Sequence, residues 1–226
     1  MRYSLRSILT ILLLAFAMTP FSYAQNDPPV FSVAYIEVKP SLTALAISLL
    51  KAHEKESRAQ EGNLRFQILQ RAGRPNHFAI LDAWQDRQAR EGYASATLSA
   101  GFRAKLKPML YSPYDERKST PILGTSSVGD EGDVYVLTHV DISPRNVEQG
   151  LALLQALITA SRQETGAKDI GLIVQDSRQN HMTLFEVWAD PASHEAHLSS
   201  AHSMHARREL QARIGSLYDE RLYRRL

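Results

Sequence analysis

The sequence predicts an α+β protein made of two tandem ferredoxin-like units packed sheet to sheet within one chain. Three observations carry this. Residues 40–117 superimpose on 144–221 at a constant offset of 104 without a gap, and 22 of the 78 positions are identical. Each copy reads as strand, helix, strand, strand, helix, strand, the split β-α-β order. A four-stranded sheet with helices on one face must bury its other face, and a second such sheet is at hand in the same chain.

The elements follow in order. Residues 33–39 and 136–142 alternate with β-branched side chains and read as strands. Pro40 and Pro144 end them. Helices are predicted at about 43–60 and 146–164, where Leu42, Leu45, Leu49 and Leu50, and then Leu151, Leu154 and Ile158, keep helical spacing. Gly62 and Gly166 stand where a glycine would stop each helix. Strands follow at about 64–71 and 168–175, and again at 77–84 and 181–188, each of the latter closed by a tryptophan, Trp84 or Trp188. Asp86 and Asp190 are placed to cap the next helices, which run to about 108 and 213. A last strand begins near Tyr114 and Tyr218, inside a repeated Tyr-Asp-Glu-Arg. Repetition of Asn76-His77 as Asn180-His181 points to a structural turn.

The chain divides into a signal peptide over 1–24, a first domain over 30–117, a linker over 118–132 and a second domain over 133–226. Arg2 and Arg6 precede an apolar stretch over 8–18, Pro20 breaks it, and Ser22-Tyr23-Ala24 fits a cleavage site before Gln25. The stretch is short for a bilayer span, so export to a bacterial periplasm or beyond is expected, without stable membrane insertion after cleavage; an uncleaved anchor is the rival reading. Cleavage would leave 24 basic side chains against 24 acidic ones. That balance argues against a nucleic-acid partner. With no cysteine in the chain, disulfides, thiolate metal sites, cysteine nucleophiles and a lipoprotein anchor are excluded. The sequence carries no glycine-rich phosphate loop and no nucleophile-elbow motif.

At Glu186-Val187-Trp188-Ala189-Asp190, then Glu195-Ala196-His197-Leu198-Ser199-Ser200-Ala201-His202, the second copy resembles the antibiotic-biosynthesis-monooxygenase family. Members commonly end their third strand with an acidic-x-Trp and follow it with a helix bearing a His-Leu pair and a second histidine. Glu61-Gly62-Asn63-Leu64-Arg65-Phe66 of the first copy is similar to the family's helix-to-strand turn. The resemblance implies a dimeric α+β barrel formed within the chain. It also implies oxygenation of a quinol-like or phenolic molecule, with O₂ as co-substrate and no cofactor. Haem-degrading relatives carry a first-strand Asn, a Trp at the place of His197 and a His at the place of Arg207; this sequence departs at all three.

Cofactor-free oxygenation needs a base, an apolar pocket and a group to hold a developing oxyanion. Six of the eight histidines fall in the second copy, and the first copy has Tyr93 and Leu98 in place of His197 and His202. The resemblance makes His202, His197 and Glu186 the candidate catalytic residues, with Trp188, His139 and Phe185 as candidate substrate contacts. For Trp188 the competing reading is a core tryptophan. No metal site is expected: His194 and His197 share a helix face, but the next gap of five rotates His202 away unless the helix breaks. The expected partners are a small aromatic substrate and O₂, and a second copy of the chain is compatible with them. A non-catalytic small-molecule-binding or stress-related barrel is the alternative reading.

Overall fold

The computed structural model describes residues 27–124, 129–216 and 218–226; the expected signal peptide over 1–24 lies outside them. The first copy comprises β1 (Val30–Glu37), α1 (Thr43–Arg58), β2 (Asn63–Arg71), β3 (His77–Trp84), α2 (Arg87–Ser95), α3 (Thr97–Leu106) and β4 (Asp115–Leu123). The second comprises β5 (Val134–Asp141), α4 (Val147–Ser161), β6 (Ala167–Gln175), β7 (His181–Trp188), α5 (Pro191–Ser199), α6 (Ala201–Gln211) and β8 (Asp219–Arg225). The α+β class and the order of elements in both copies are as predicted.

The eight strands close into one barrel in the order β1-β3-β2-β8-β5-β7-β6-β4. Closure depends on an exchange of last strands. β4 pairs with β1 of its own copy and β6 of the other, and β8 pairs with β5 and β2. Main-chain hydrogen bonds therefore join the two sheets at their edges, which leaves no open edge strand among the described residues.

Three details differ from the sequence prediction. β4 runs to Leu123, six residues into the expected linker. Its Thr120-Pro121 falls in the stretch expected as linker, but the proline sits at a register shift between Pro121 and Leu123, where a missing N–H is tolerated. The long helix expected after each tryptophan strand is two helices. Ala96 (φ −66°, ψ 148°) and Ser200 (φ −66°, ψ 149°) are extended and interrupt them. Finally, Ala59 and Arg162 cap α1 and α4, and the repeated glycines lie further on, at φ 73° in Gly62 and 83° in Gly166. They turn the chain into β2 and β6 through the left-handed region that other residues avoid.

Strand alternation creates three cores. Between helices and sheet, Trp84, Phe66 and Leu50 anchor the first copy, and Trp188, Leu154 and Leu184 the second. The third core fills the barrel with Phe31, Leu81, Tyr135, Phe185 and Tyr223 among others. A buried polar chain crosses this interior. Arg65 Nη1 donates to Asp169 Oδ2 at 2.8 Å, Arg65 Nε to Gln67 Oε1 at 2.5 Å, and Gln67 Nε2 to the Tyr135 hydroxyl at 3.1 Å. Arg65 and Asp169 are 104 residues apart, the repeat offset, so the pair joins equivalent positions of the two copies.

The repeated motifs are scaffold. Asn76 Nδ2 donates to the Val38 carbonyl at 2.9 Å, and Asn180 Nδ2 to that of Ile142 at 3.0 Å. Asp86 accepts from the Ala89 N–H at 2.7 Å and Asp190 from that of Ser193 at 2.8 Å, so both aspartates cap as expected. In the last strands Arg117 pairs with Asp115, and Arg221 with Asp219.

Candidate functional site

The second copy gathers its histidines at the break between α5 and α6. Ser200 ends α5 by donating its N–H to the His197 carbonyl at 3.1 Å, and its hydroxyl accepts from the Ser203 N–H at 3.3 Å to start α6. This extended residue redirects the chain by enough to bring His197, in the last turn of α5, and His202, in the first turn of α6, to one acceptor. That acceptor is Glu164, in the turn between α4 and β6. Its Oε1 lies 2.8 Å from His197 Nδ1 and 2.5 Å from His202 Nε2.

Trp188 and Glu186 lie behind this trio. The Trp188 ring stacks on His197 with centroids 4.8 Å apart. Its Nε1 donates to Glu186 Oε2 at 2.8 Å, and that oxygen is 3.9 Å from His197 Nε2. Burial pushes the Glu186 carboxyl above its ordinary range, and His197 pulls it back down. The His197 side chain is 3% exposed and that of His202 32%, so His202 is the histidine a solute can reach.

Four of the six predicted site residues therefore converge: His197, His202, Glu186 and Trp188. His139 and Phe185 do not. They point into the barrel, on the opposite face of the sheet, because successive strand residues alternate faces and Glu186 and Trp188 take the helix side. Phe185 packs over Gly171, where an added Cβ would meet its Cζ at 2.3 Å. His139 Nδ1 is 3.0 Å from Arg117 Nη1, and burial first, then Arg117, pushes the imidazole down to about 4. Glu164 is the residue the sequence reading missed. The helix break also removes the geometric objection to a metal site: Glu164, His197 and His202 offer donor atoms all within 4.8 Å of one another.

The equivalent place in the first copy is built differently. Gln60, Tyr93 and Leu98 stand for Glu164, His197 and His202. The Tyr93 hydroxyl is 2.7 Å from His53 Nε2, and the tyrosine ring stacks on Trp84 at 4.6 Å. Phe102 lies flat against His53 at 3.7 Å. Burial pushes His53 down to about 4 and the Tyr93 phenol up to about 12. Asp82, equivalent to Glu186, accepts from Ser32 and from Trp84 Nε1. A cavity of about 500 Å³ lies beside Gln60, Trp84, Gly92 and Tyr93. In the second copy a cavity of about 360 Å³ opens beside Pro191, His194 and Tyr223.

Barrel, tandem units and the Trp-backed histidine pair together define the class: a fused dimeric α+β barrel with the Glu-linked histidine pair in one half. The sequence pattern of the antibiotic biosynthesis monooxygenase family matches residues 29–105 and again 133–209, and the chain belongs to that family. YcnE of Bacillus subtilis (strain 168), provisionally named a monooxygenase, is 34% identical over 82 residues, covering 36% of this chain and 86% of that protein. A Fusobacterium nucleatum structure with the same provisional name matches 88% of this chain and 93% of its own, at TM-score 0.80 and 16% identity. One from Lactobacillus acidophilus covers 88% and 94% at TM-score 0.74 and 15% identity. At such identities these two structures establish the fold, and their span takes in both copies.

Proposed function

We propose that this chain is an exported monooxygenase that oxidises a quinol-like or phenolic small molecule with O₂ in its second copy, using protein side chains and no metal or flavin. Family membership supports the reaction class. The observation that carries the assignment to this half is the Glu164–His197–His202 trio. With Nε2–H of His202 given to Glu164, its lone pair is on Nδ1, the atom that takes the substrate proton. The Glu164 carboxylate then faces an imidazolium, which it stabilises as an acidic partner steadies a catalytic histidine. His197, held by the same carboxylate and stacked on Trp188, is buried behind His202 and fixes the position of Glu164.

The balance closes without an external reductant. Deprotonation gives an electron-rich carbanion-like anion, which passes an electron to O₂. One oxygen atom becomes a carbonyl on the ring carbon, which loses its C–H hydrogen while the phenolic O–H loses the other, and the second oxygen atom leaves as water with those two hydrogens. All four electrons come from the substrate.

The test is oxygen uptake by the purified chain lacking 1–24 against a panel of quinols and phenols. Uptake that disappears in His202→Ala supports the reading. A ligand that binds and is recovered unchanged in air would favour the non-catalytic alternative. Export is tested by sequencing the N-terminus of the protein from a periplasmic fraction; a chain still beginning at Met1 in the cytoplasm would refute it.

A further inference from the structure

The trio of Glu164, His197 and His202 has a second chemical capacity. Its donors come from three separate segments: the α4–β6 turn, the end of α5 and the start of α6. They nevertheless lie within 4.8 Å of one another. Ligands at about 2.0–2.2 Å from one ion are no more than roughly 4.4 Å apart, so small side-chain rotations suffice to seat one. We propose that Glu164 Oε1, His197 Nδ1 and His202 Nε2 form a binding site for one divalent first-row transition ion of the zinc class.

Two imidazoles and one carboxylate suit such ions better than calcium or magnesium, which prefer all-oxygen sites. A second, independent feature supports the site. For His197 to ligate through Nδ1, its proton must move to Nε2. That nitrogen faces Glu186 Oε2 at 3.9 Å, and Glu186 is itself fixed by the Trp188 N–H. At 3.9 Å this is a charge contact and not a hydrogen bond; a small turn of the ring brings Nε2–H within reach of Glu186, and a carboxylate bonded there orients a ligating histidine and raises its basicity. The partly exposed side of His202 leaves room for water to complete the coordination. The first copy, with Gln60, Tyr93 and Leu98 at the same places, lacks the donor set and serves as an internal control.

The ion and the oxygenase reading use the same groups in exclusive ways. With both histidines tied to a cation and Glu164 neutralised, the carboxylate no longer supports proton uptake by His202. The site is therefore one at which a metal would hold the protein idle, and binding is measurable whether or not a substrate for turnover is found.

The experiment is isothermal titration of the chelator-treated chain with ZnCl₂, with MgCl₂ as comparison and Trp emission followed in parallel. One zinc per chain is expected, with a change in Trp188 emission through its stack on His197. Glu164→Gln and His202→Gln should each weaken binding by more than about 100-fold, and Glu186→Gln by about 10–100-fold. His139→Gln/His181→Gln should leave it unchanged. Unaltered zinc affinity in folded Glu164→Gln and His202→Gln would place the ion elsewhere and overturn the proposal. So would the absence of binding at millimolar zinc, while the oxygen-uptake result would stand independently of either.

Discussion

The two copies share a scaffold and differ in what stands between their helices and sheet. In the first, His53 stacks on Phe102 and Tyr93 on Trp84, the Tyr93 hydroxyl meets the imidazole, and the imidazole is closed off against aromatic rings. In the second, Leu157 replaces His53 and Ala206 replaces Phe102, and the polar groups gather further out, at the helix break, where one histidine reaches solvent. The comparison teaches that position within a fold does not fix chemistry. The same strand, the same tryptophan and an acidic residue two positions before it, Asp82 or Glu186, support a packed aromatic cluster in one half and a carboxylate-linked histidine pair in the other.

The sharpest way to break this comparison is by activity. His202→Ala should lower turnover of an accepted phenolic substrate by about 10²–10⁴-fold, the usual contribution of a positioned general base. Tyr93→Phe, at the first copy's equivalent of His197, should leave turnover within about two-fold; equal losses in steady-state rates would mean that both halves work.

Next in size is the barrel interior. Arg65→Met should lower unfolding free energy in urea by on the order of 3–5 kcal/mol, because it removes one member of a buried, hydrogen-bonded ion pair. Arg65→Met combined with Asp169→Leu should recover most of that loss. A double variant as unstable as the single one would show that the pair is not the unit of stability.

A pH series separates the halves by a different route. His53 is neutral in the fold, pushed from 6.5 down to about 4 chiefly by burial. The unfolded chain therefore binds more protons between those values, and stability from this group falls as pH drops from about 6.5 to about 4. Asp82, raised by burial to about 6, acts in the opposite sense, since the folded chain binds its proton more tightly. His53→Leu, the residue of the second copy, should flatten the loss of denaturation midpoint between pH 6.5 and 4. An unchanged slope would move the effect to His139.

The smallest effect tests symmetry. Asp86→Ala and Asp190→Ala each remove a helix N-cap and should each cost about 1 kcal/mol in thermal or chemical denaturation. Similar costs sharpen the picture of an equivalent scaffold; a several-fold difference would break it.

Most of the scaffold was legible because the repeat is ungapped and its markers have local causes. Gly62 and Gly166 turn with positive φ, Asp86 and Asp190 cap, and Asn76 and Asn180 tie a turn to a neighbouring strand. The site was legible only in part. His197, His202, Glu186 and Trp188 followed from the family pattern. Phe185 was misplaced although its neighbour Glu186 was not, and the two-residue period of β7 would have separated them: Glu186 and Trp188 share parity, and Phe185 does not. His139 was misplaced in the same way, since it shares parity with Tyr135 and Leu137 inside the barrel. Glu164 had no signal, since the first copy has Gln60 there and its partners lie 33 and 38 residues on. Ser200 did have one. An N-capping serine in the middle of a predicted helix marks a place where one helix can end and another begin, and that break is what joins the two histidines.

The Arg65–Asp169 pair records something about descent. A dimer of identical chains must present the same side chain at both members of a pair of positions related by its axis, so opposite charges never face each other there. This chain puts arginine on one side and aspartate on the other, which only a covalently joined or otherwise unlike pair of subunits permits. A pairing of either half with its own duplicate would set two guanidinium groups or two carboxylates together in a sealed interior. Joined in one chain, the halves are exempt from that symmetry, and at this pair each is the charge complement of the other.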